Sequence, residues 1–197
     1  MRTAQRLAAV DGYRFPSGVR HRFIVAHDDL DLAALARVED AARQWFRLAA
    51  RHPRADMSMP SVVVDDLWRE MLRDPRGYAE FCSAAFRRPL PRPRQSGPEN
   101  PAGLATTFRL AQEDESCPPQ ALPLLFRIDR ELGVAGGGYY LADCGGRAVC
   151  HELPGAVCLT HVAGVEPERP WLGRLRTMFQ PPDPGTGGDL GGGAFGA

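Results

Sequence analysis

Apolar side chains recur at helical spacing through the middle of the chain. Between positions 32 and 132 they return every three or four residues, as the buried stripe of an amphipathic helix does. The first four stripes are Leu32, Leu35, Val38, Ala42, Trp45, Ala49; Val64, Leu67, Trp68, Met71, Leu72; Tyr78, Phe81, Cys82, Ala85, Phe86; and Leu104, Phe108, Ala111. The fifth is marked by Leu122, Leu125, Phe126 and Leu132, with Asp129 at the same spacing. The pattern predicts a mainly α protein, a compact bundle of about five helices that bury these stripes on one another.

Capping residues and prolines predict where these helices begin and end. A short polar residue before a proline suits an N-cap followed by the first helical position. A residue before proline, or a glycine after the last turn, ends a helix. The start signals are Asp74-Pro75, Asn100-Pro101 and Pro60, and the end signals are His52-Pro53 and Gly133.

The segments on either side of the helical domain, residues 31–134, follow other patterns. Residues 1–30 form an N-terminal arm in which the alternating run 19–25 predicts a short strand or an extended segment. Residues 135–180 hold short β-prone pieces between glycine and proline turns, which predicts a cysteine-containing β or irregular extension. Residues 181–197 are rich in glycine and proline and predict a disordered tail.

The amino-acid composition excludes several classes of function. The 197 residues include 24 basic and 24 acidic side chains, so no whole-molecule charge draws the protein to nucleic acid or an anionic membrane. Every basic side chain is arginine, and the absence of lysine excludes a Schiff base or a P-loop. No apolar run has the length of a membrane span or a secretory signal, so we expect a cytoplasmic protein.

One local basic strip lies between the third and fourth predicted helices. Its arginines alternate with prolines over residues 87–94, which predicts an extended, solvated linker. The arginines are Arg87, Arg88, Arg92 and Arg94. Such a strip suits phosphates or a groove that recognises proline, but no aromatic residue interleaves it, so we do not expect nucleic-acid binding.

One late cluster of residues has metal-ligand character. Its members are Cys144, Cys150, Cys158 and His161, with His151 as an alternative ligand. Zinc favours four nitrogen or sulfur ligands, and the two-residue gap between Cys158 and His161 lets one turn present two of them. Four protein ligands would make a closed structural site. The alternative is that Cys150 and Cys158 are small buried residues on strands and that His161 is solvated.

Clusters of acidic residues have ordinary explanations. Asp28, Asp29 or Asp31 supplies the N-cap of the first helix in the bundle. Residues 113–115 are three consecutive acids near a helix C-terminus, where negative charge is unfavourable, and we interpret them as solvated surface, with a recognition patch as the alternative. Since the sequence contains no recognised catalytic motif, we do not expect an enzyme. An enzymatic alternative would bring His27, Asp28 and Asp65 into one cleft.

Several motifs together carry a family resemblance. They are Phe46-Arg47-Leu48-Ala49-Ala50-Arg51-His52-Pro53, Met59-Pro60-Ser61, Val64-Asp65-Asp66-Leu67-Trp68, Asp74-Pro75-Arg76, Tyr78, Phe81-Cys82, Leu122-Pro123-Leu124-Leu125-Phe126, Asp143-Cys144-Gly145-Gly146 and Leu153-Pro154-Gly155. This set resembles bacterial glycine-rich domain-containing proteins, which are distantly similar to the helical N-terminal region of plant glycine-rich domain proteins. The resemblance spans roughly residues 40–160 and implies a family without implying an activity.

The chain departs from that family pattern at two places. In the family a histidine directly follows the tryptophan of the second helix, where this chain has Arg69, and a His-His pair follows the third helix, where it has Leu90-Pro91. A role that depends on those histidines therefore does not carry over. The glycine-rich C-terminus is present only as residues 185–196, without the cysteines associated with it.

Two hypotheses about function follow from the sequence. The first is a non-enzymatic interaction or scaffold module whose flexible arginine-proline loop and glycine-rich tail contact a protein partner. The alternative is a small zinc-binding protein in which the late cysteines and a histidine staple the C-terminal extension, so that the metal contributes folding free energy.

Overall fold

The computed structural model describes residues 2–92, 97–144 and 155–162, all within one compact unit of the chain. The longer helices in these residues are α1 (Arg2–Asp11), α2 (Ser17–Ala26), α3 (Leu32–Arg51), α4 (Val62–Leu72), α5 (Pro75–Ala85), α6 (Pro101–Glu115) and α7 (Leu124–Glu131). The shorter elements are a 3-10 turn (Gly97–Glu99), strands β1 (Tyr139–Leu141) and β2 (Ala156–Cys158), and a last helical turn α8 (Leu159–Val162). The predicted mainly α fold class is confirmed.

The core is built around α3, which spans 20 residues and packs against α1, α4, α6 and α7. Its predicted stripe is buried from Leu35 onward, while Leu32, at the first turn, is exposed. Trp45 and Phe46 place their ring centroids 6.0 Å and 5.7 Å from that of Trp68 on α4. The recurring aromatic residues are thus the contacts between helices, as the period predicts.

The predicted N-caps form as side-chain hydrogen bonds. Asp31, Asp74 and Asn100 each accept from the backbone N–H three residues later, at 2.7 Å, 3.1 Å and 3.0 Å. The predicted start at Pro60 is displaced, because Ser61 is the actual cap and its hydroxyl accepts from the Val64 N–H at 3.2 Å. Helix α4 therefore begins at Val62.

The extended segment predicted over residues 19–25 is wrong, since this run lies inside the helix α2. The run also contains a helical spacing, since Val19 and Phe23 are four residues apart and both are buried on one face of the helix. The Arg22 guanidinium donates to the Glu70 carboxylate and to the Glu70 carbonyl oxygen, each at 2.9 Å. Packing against α4 therefore decides the conformation of this segment.

The C-terminal part of the described chain is a small parallel sheet. β1 pairs with β2 in a register that places Leu141 opposite Cys158. The Thr160 hydroxyl donates to the Ala142 carbonyl oxygen at 2.8 Å, and α8 packs on α6. The predicted β-prone piece at 148–150 and the predicted disordered tail, 181–197, lie outside the described residues. In the part of the chain that is described, no helix combines the length and hydropathy of a bilayer crossing.

Candidate metal centre

Strand pairing brings the late cysteines together. Cys144 lies three residues beyond the end of β1, and Cys158 is the last residue of β2. Because Cys158 pairs with Leu141, it lies beside the strand end from which the chain runs on to Cys144. His161 follows within α8, whose first turn is tied to the end of β1 by the Thr160 hydroxyl. The loop after β1, the end of β2 and the turn α8 thus present their side chains to one point.

The geometry of this point fits a metal ion. The Cys144 Sγ, the Cys158 Sγ and a His161 ring nitrogen all lie within 4.8 Å of one another. The Cys144 sulfur is 3.8 Å from Nε2 and 3.9 Å from Nδ1 of His161. A tetrahedral zinc ion with ordinary Zn–S and Zn–N bonds separates its sulfur and nitrogen ligands by about 3.6 Å. The three residues could therefore hold a metal ion after small adjustments.

The structure thus brings together three of the predicted ligands, Cys144, Cys158 and His161. Cys150 and the alternative ligand His151 lie outside the described residues. The two described cysteines are buried and His161 is exposed. The interpretation of Cys158 as an ordinary buried residue explains its burial, but it does not explain why another thiol and an imidazole converge on it.

Comparison with known proteins places the chain in a family. A family model described as UCP032817-like matches residues 5–162. The chain belongs to the UCP032817-like family. No curated protein and no solved structure matches the chain.

The UCP032817-like match contains the helices from α2 to α8 entire, together with all five candidate ligands. It ends at Val162, the last residue of α8. The match names no glycine-rich domain and no plant relative, so that resemblance stays a prediction.

Two other cysteines in the UCP032817-like region lie apart from this centre. Cys82 is buried in the core on α5, and Cys117 follows the end of α6. Burial raises the pKa of the Cys117 thiol, and the charge of Glu115 raises it further. Substitutions of Cys82 and Cys117 therefore serve as controls when the cysteines of the metal centre are substituted.

The cavity beside His27 contains only one of the three residues of the enzymatic alternative. The His27 Nε2 lies 3.5 Å from the Asp66 carboxylate, and both residues line a cavity of about 260 Å³. Burial raises the pKa of Asp66, against the opposing charges of Arg69 and His27. Asp28 and Asp65, the other two predicted members, are not among the residues that line this cavity. Both carboxylate oxygens of Asp65 accept instead from Arg92, each at 2.7 Å.

The interpretation of residues 113–115 as solvated surface fails at its central member. The Asp114 side chain is only 2% exposed, because it accepts from Arg47 at 2.8 Å and from Arg51 at 2.5 Å. Glu115 accepts from the Leu124 N–H at 2.6 Å and so caps α7. These acids join α6 to α3 and α7. The four-residue spacing of the two arginines on α3 is the sequence signal that could have indicated an acidic partner.

Proposed function

We propose that this protein binds zinc at a structural site made by Cys144, Cys158, His161 and a fourth ligand, Cys150 or His151. The observation that supports the proposal is the convergence of two thiols and one imidazole, from the loop after β1, from β2 and from α8, within 4.8 Å. Thiolate and imidazole are the donors that zinc prefers, and such a set without an open position is typical of structural sites.

Zinc at this point would add to the contacts that already hold the small sheet on α6 and α7. β1 and β2 pair over three residues each, and a two-stranded sheet of that size is marginal on its own. A structural zinc site contributes an apparent binding free energy of about 10–16 kcal/mol in small peptides. The metal would therefore fix the β1 end, β2 and α8 relative to one another, which is a folding role and not a catalytic one.

Metal analysis tests this function. Protein purified without chelator should carry about one equivalent of zinc, as a single structural site requires. Cys144→Ser, Cys158→Ser and His161→Ala should each lose most of it, whereas Cys82→Ser and Cys117→Ser should keep it. Less than about a tenth of an equivalent in the unaltered protein would contradict the proposal.

The fourth ligand is tested by cobalt substitution. Tetrahedral Co²⁺ shows thiolate-to-metal charge-transfer absorption whose intensity grows with the number of sulfur ligands. If Cys150 completes the site, Cys150→Ser lowers that absorption by about a third and His151→Ala leaves it unchanged. If His151 completes the site, Cys150→Ser leaves the absorption and the cobalt affinity unchanged, whereas His151→Ala weakens cobalt binding without removing a sulfur ligand. Unchanged spectra and affinity in both variants would show that the four-ligand assignment is wrong.

A protein-interaction module is the second candidate, and an exposed apolar pair favours it. Val25, near the end of α2, is 66% exposed and Leu32, at the start of α3, is 71% exposed. The arginine-proline segment was predicted to be a flexible contact loop. In its described part, Arg88 donates to the Pro53 carbonyl oxygen and Arg92 to Asp65, so these two side chains are engaged within the fold.

Co-purification from a lysate of the source cells tests the second candidate. A specific partner should bind the unaltered protein and be lost when Val25 and Leu32 are both changed to serine. Leu72→Ser, a single change at a partly exposed apolar residue on α4, is the matched control. Equal recovery with all three proteins would rule out the apolar pair as the binding surface.

A further inference from the structure

A cleft of about 700 Å³ opens between two connecting segments, far larger than the cavity beside His27. One side is the segment 52–57, which follows α3, and the other is Arg88 with residues 90–92, which follow α5. We call it the arginine cleft, and Trp45, Ala49, Trp68 and Asn100 complete its lining. Its volume lies within the range of about 300–1,000 Å³ that small-molecule sites occupy.

Hydrogen bonds fix the second side of the arginine cleft in place. The Trp68 indole N–H donates to the Tyr78 hydroxyl at 3.0 Å, and that hydroxyl donates to the Leu90 carbonyl oxygen at 2.6 Å. Arg92 forms a bidentate salt bridge with the Asp65 carboxylate, and both hydrogen bonds are 2.7 Å long. A site held in advance of binding loses less conformational entropy when a ligand enters.

The charge of the arginine cleft is positive. Three arginines and one aspartate, Asp56, line it. Asp65 neutralises Arg92, but Arg54 and Arg88 form no ion pair with any carboxylate among the residues that the structure describes. The Arg88 guanidinium donates to the carbonyl oxygen of Pro53 at 2.9 Å, which leaves its charge uncompensated. Two unpaired guanidinium groups at one opening favour an anionic group.

The rest of the arginine cleft is lined mostly by apolar residues. Ala49 is buried, and Met57 and Leu90 are half-buried against the core. Trp45 also lines the cleft, and its indole N–H is itself buried. This part of the lining suits the apolar body of a ligand.

We propose that the arginine cleft binds a small organic anion, a carboxylate or a phosphate ester attached to an apolar body. Arg54 and Arg88 bind the anionic group, and Ala49, Met57 and Leu90 contact the apolar body. The site is independent of the metal centre, since the two share no residue.

Isothermal titration of the full-length protein with benzoate and with phenyl phosphate tests the proposal. At least one of the two should bind with a dissociation constant of about 1 mM or lower, whereas benzyl alcohol, the neutral comparator, should not. Arg54→Gln should weaken binding by about tenfold, because it removes a charge-assisted hydrogen bond. Arg76→Gln is the matched control, as that arginine lies on α5 with its side chain 92% exposed.

Three outcomes would overturn the proposal. The first is that neither anion binds, and the second is that benzyl alcohol binds as tightly as the anions. The third is that Arg54→Gln and Arg76→Gln bind alike. Arg54 is the decisive position because its side chain makes no hydrogen bond to the described residues, so its loss leaves the fold intact. Inorganic phosphate binding as tightly as phenyl phosphate would remove the apolar body from the proposal.

Discussion

Asp129 is a buried carboxylate that joins three parts of the chain. It accepts from the Ser61 hydroxyl at 2.6 Å and from the Val62 and Val63 backbone N–H groups at 2.8 Å and 3.3 Å. The Gly138 N–H donates to it at 3.0 Å. One side chain on α7 thus holds the first turn of α4 and the segment before β1.

This packing leaves no room for a side chain at Gly137 and Gly138, which precede β1. A Cβ on Gly137 would lie 2.7 Å from the Asp129 Cβ, and one on Gly138 would lie 2.8 Å from the Pro60 carbonyl oxygen. Any larger residue would push β1 away from α4 and α7. In the sequence this glycine run indicates only a turn, and the structure shows a close approach of backbone to backbone.

Removal of the Asp129 carboxylate is therefore expected to destabilise the fold strongly. Asp129→Ala should lower the free energy of unfolding by about 3 kcal/mol, because it leaves a hydroxyl and several backbone donors buried without an acceptor. Asp129→Asn, which keeps one acceptor oxygen, should lose less. Urea unfolding measures both, with the exposed Asp40→Ala as control. A loss for Asp129→Ala equal to that of the control would contradict this account.

At the scale of elements, the segment after α5 depends on one hydroxyl. The Tyr78 hydroxyl accepts from Trp68 and donates to the Leu90 carbonyl oxygen, so it links the core to the arginine-proline segment. Arg92 provides a second anchor through Asp65, and Arg88 a third through the Pro53 carbonyl oxygen. The predicted extended linker is therefore held to the rest of the fold at three points.

Tyr78→Phe should release this segment without disturbing the core. Loss of the hydroxyl removes the bond to Leu90 and leaves the Trp68 N–H unpaired, at a cost of about 1–3 kcal/mol. Tryptic cleavage between Arg87 and Arg88 should become about tenfold faster, since local opening is required for cleavage. Tyr13→Phe is the control, because that hydroxyl makes no hydrogen bond to the described residues. Equal cleavage rates in the two variants would show that Tyr78 does not anchor the segment.

An element could be predicted from the sequence when the signals that determine it lie within its own residues. Helices α3 to α7 carry their stripes and most of their caps within their own sequence, so their positions were predictable. α2 has no side-chain cap, and its conformation is fixed by contacts such as that of Arg22 with Glu70 on α4, so its alternating pattern was misleading. The spacing of the late cysteines and His161 in the sequence indicated which residues could be metal ligands. It could not show that Cys144 and Cys158 lie close together, because that depends on the pairing of β1 with β2.

At the scale of the whole molecule, the buried Tyr140 and the half-buried Tyr13 and Tyr78 couple the stability of the fold to alkaline pH. Burial raises the pKa of Tyr13 to about 12, with a further contribution from Asp74. Burial also raises the pKa of Tyr78 and of Tyr140 above the ordinary value for tyrosine. The Tyr140 hydroxyl donates to the Pro60 carbonyl oxygen at 2.9 Å, so it must keep its proton for this contact to form.

These shifts determine the direction of the pH dependence. Above pH 10 the unfolded chain loses phenolic protons that the folded chain retains, so the folded state binds more protons and the free energy of unfolding falls as pH rises. Each such tyrosine contributes a slope of up to about 1.4 kcal/mol per pH unit between its unfolded and folded pKa values. The stabilisation is complete below about pH 10 and is lost progressively as pH rises through about 12.

Urea unfolding at a series of pH values above neutrality should therefore show a shallow decline from the Cys117 thiol beginning near pH 9 and a steep decline from the tyrosines above about pH 10. Tyrosinate absorbance of the folded protein should show that Tyr13, Tyr78 and Tyr140 remain protonated at pH 10. Tyr140→Phe should reduce the slope of the decline, because one of the coupled protons is then absent. A folded protein in which Tyr13, Tyr78 and Tyr140 all ionise near pH 10 would contradict the burial of these hydroxyls.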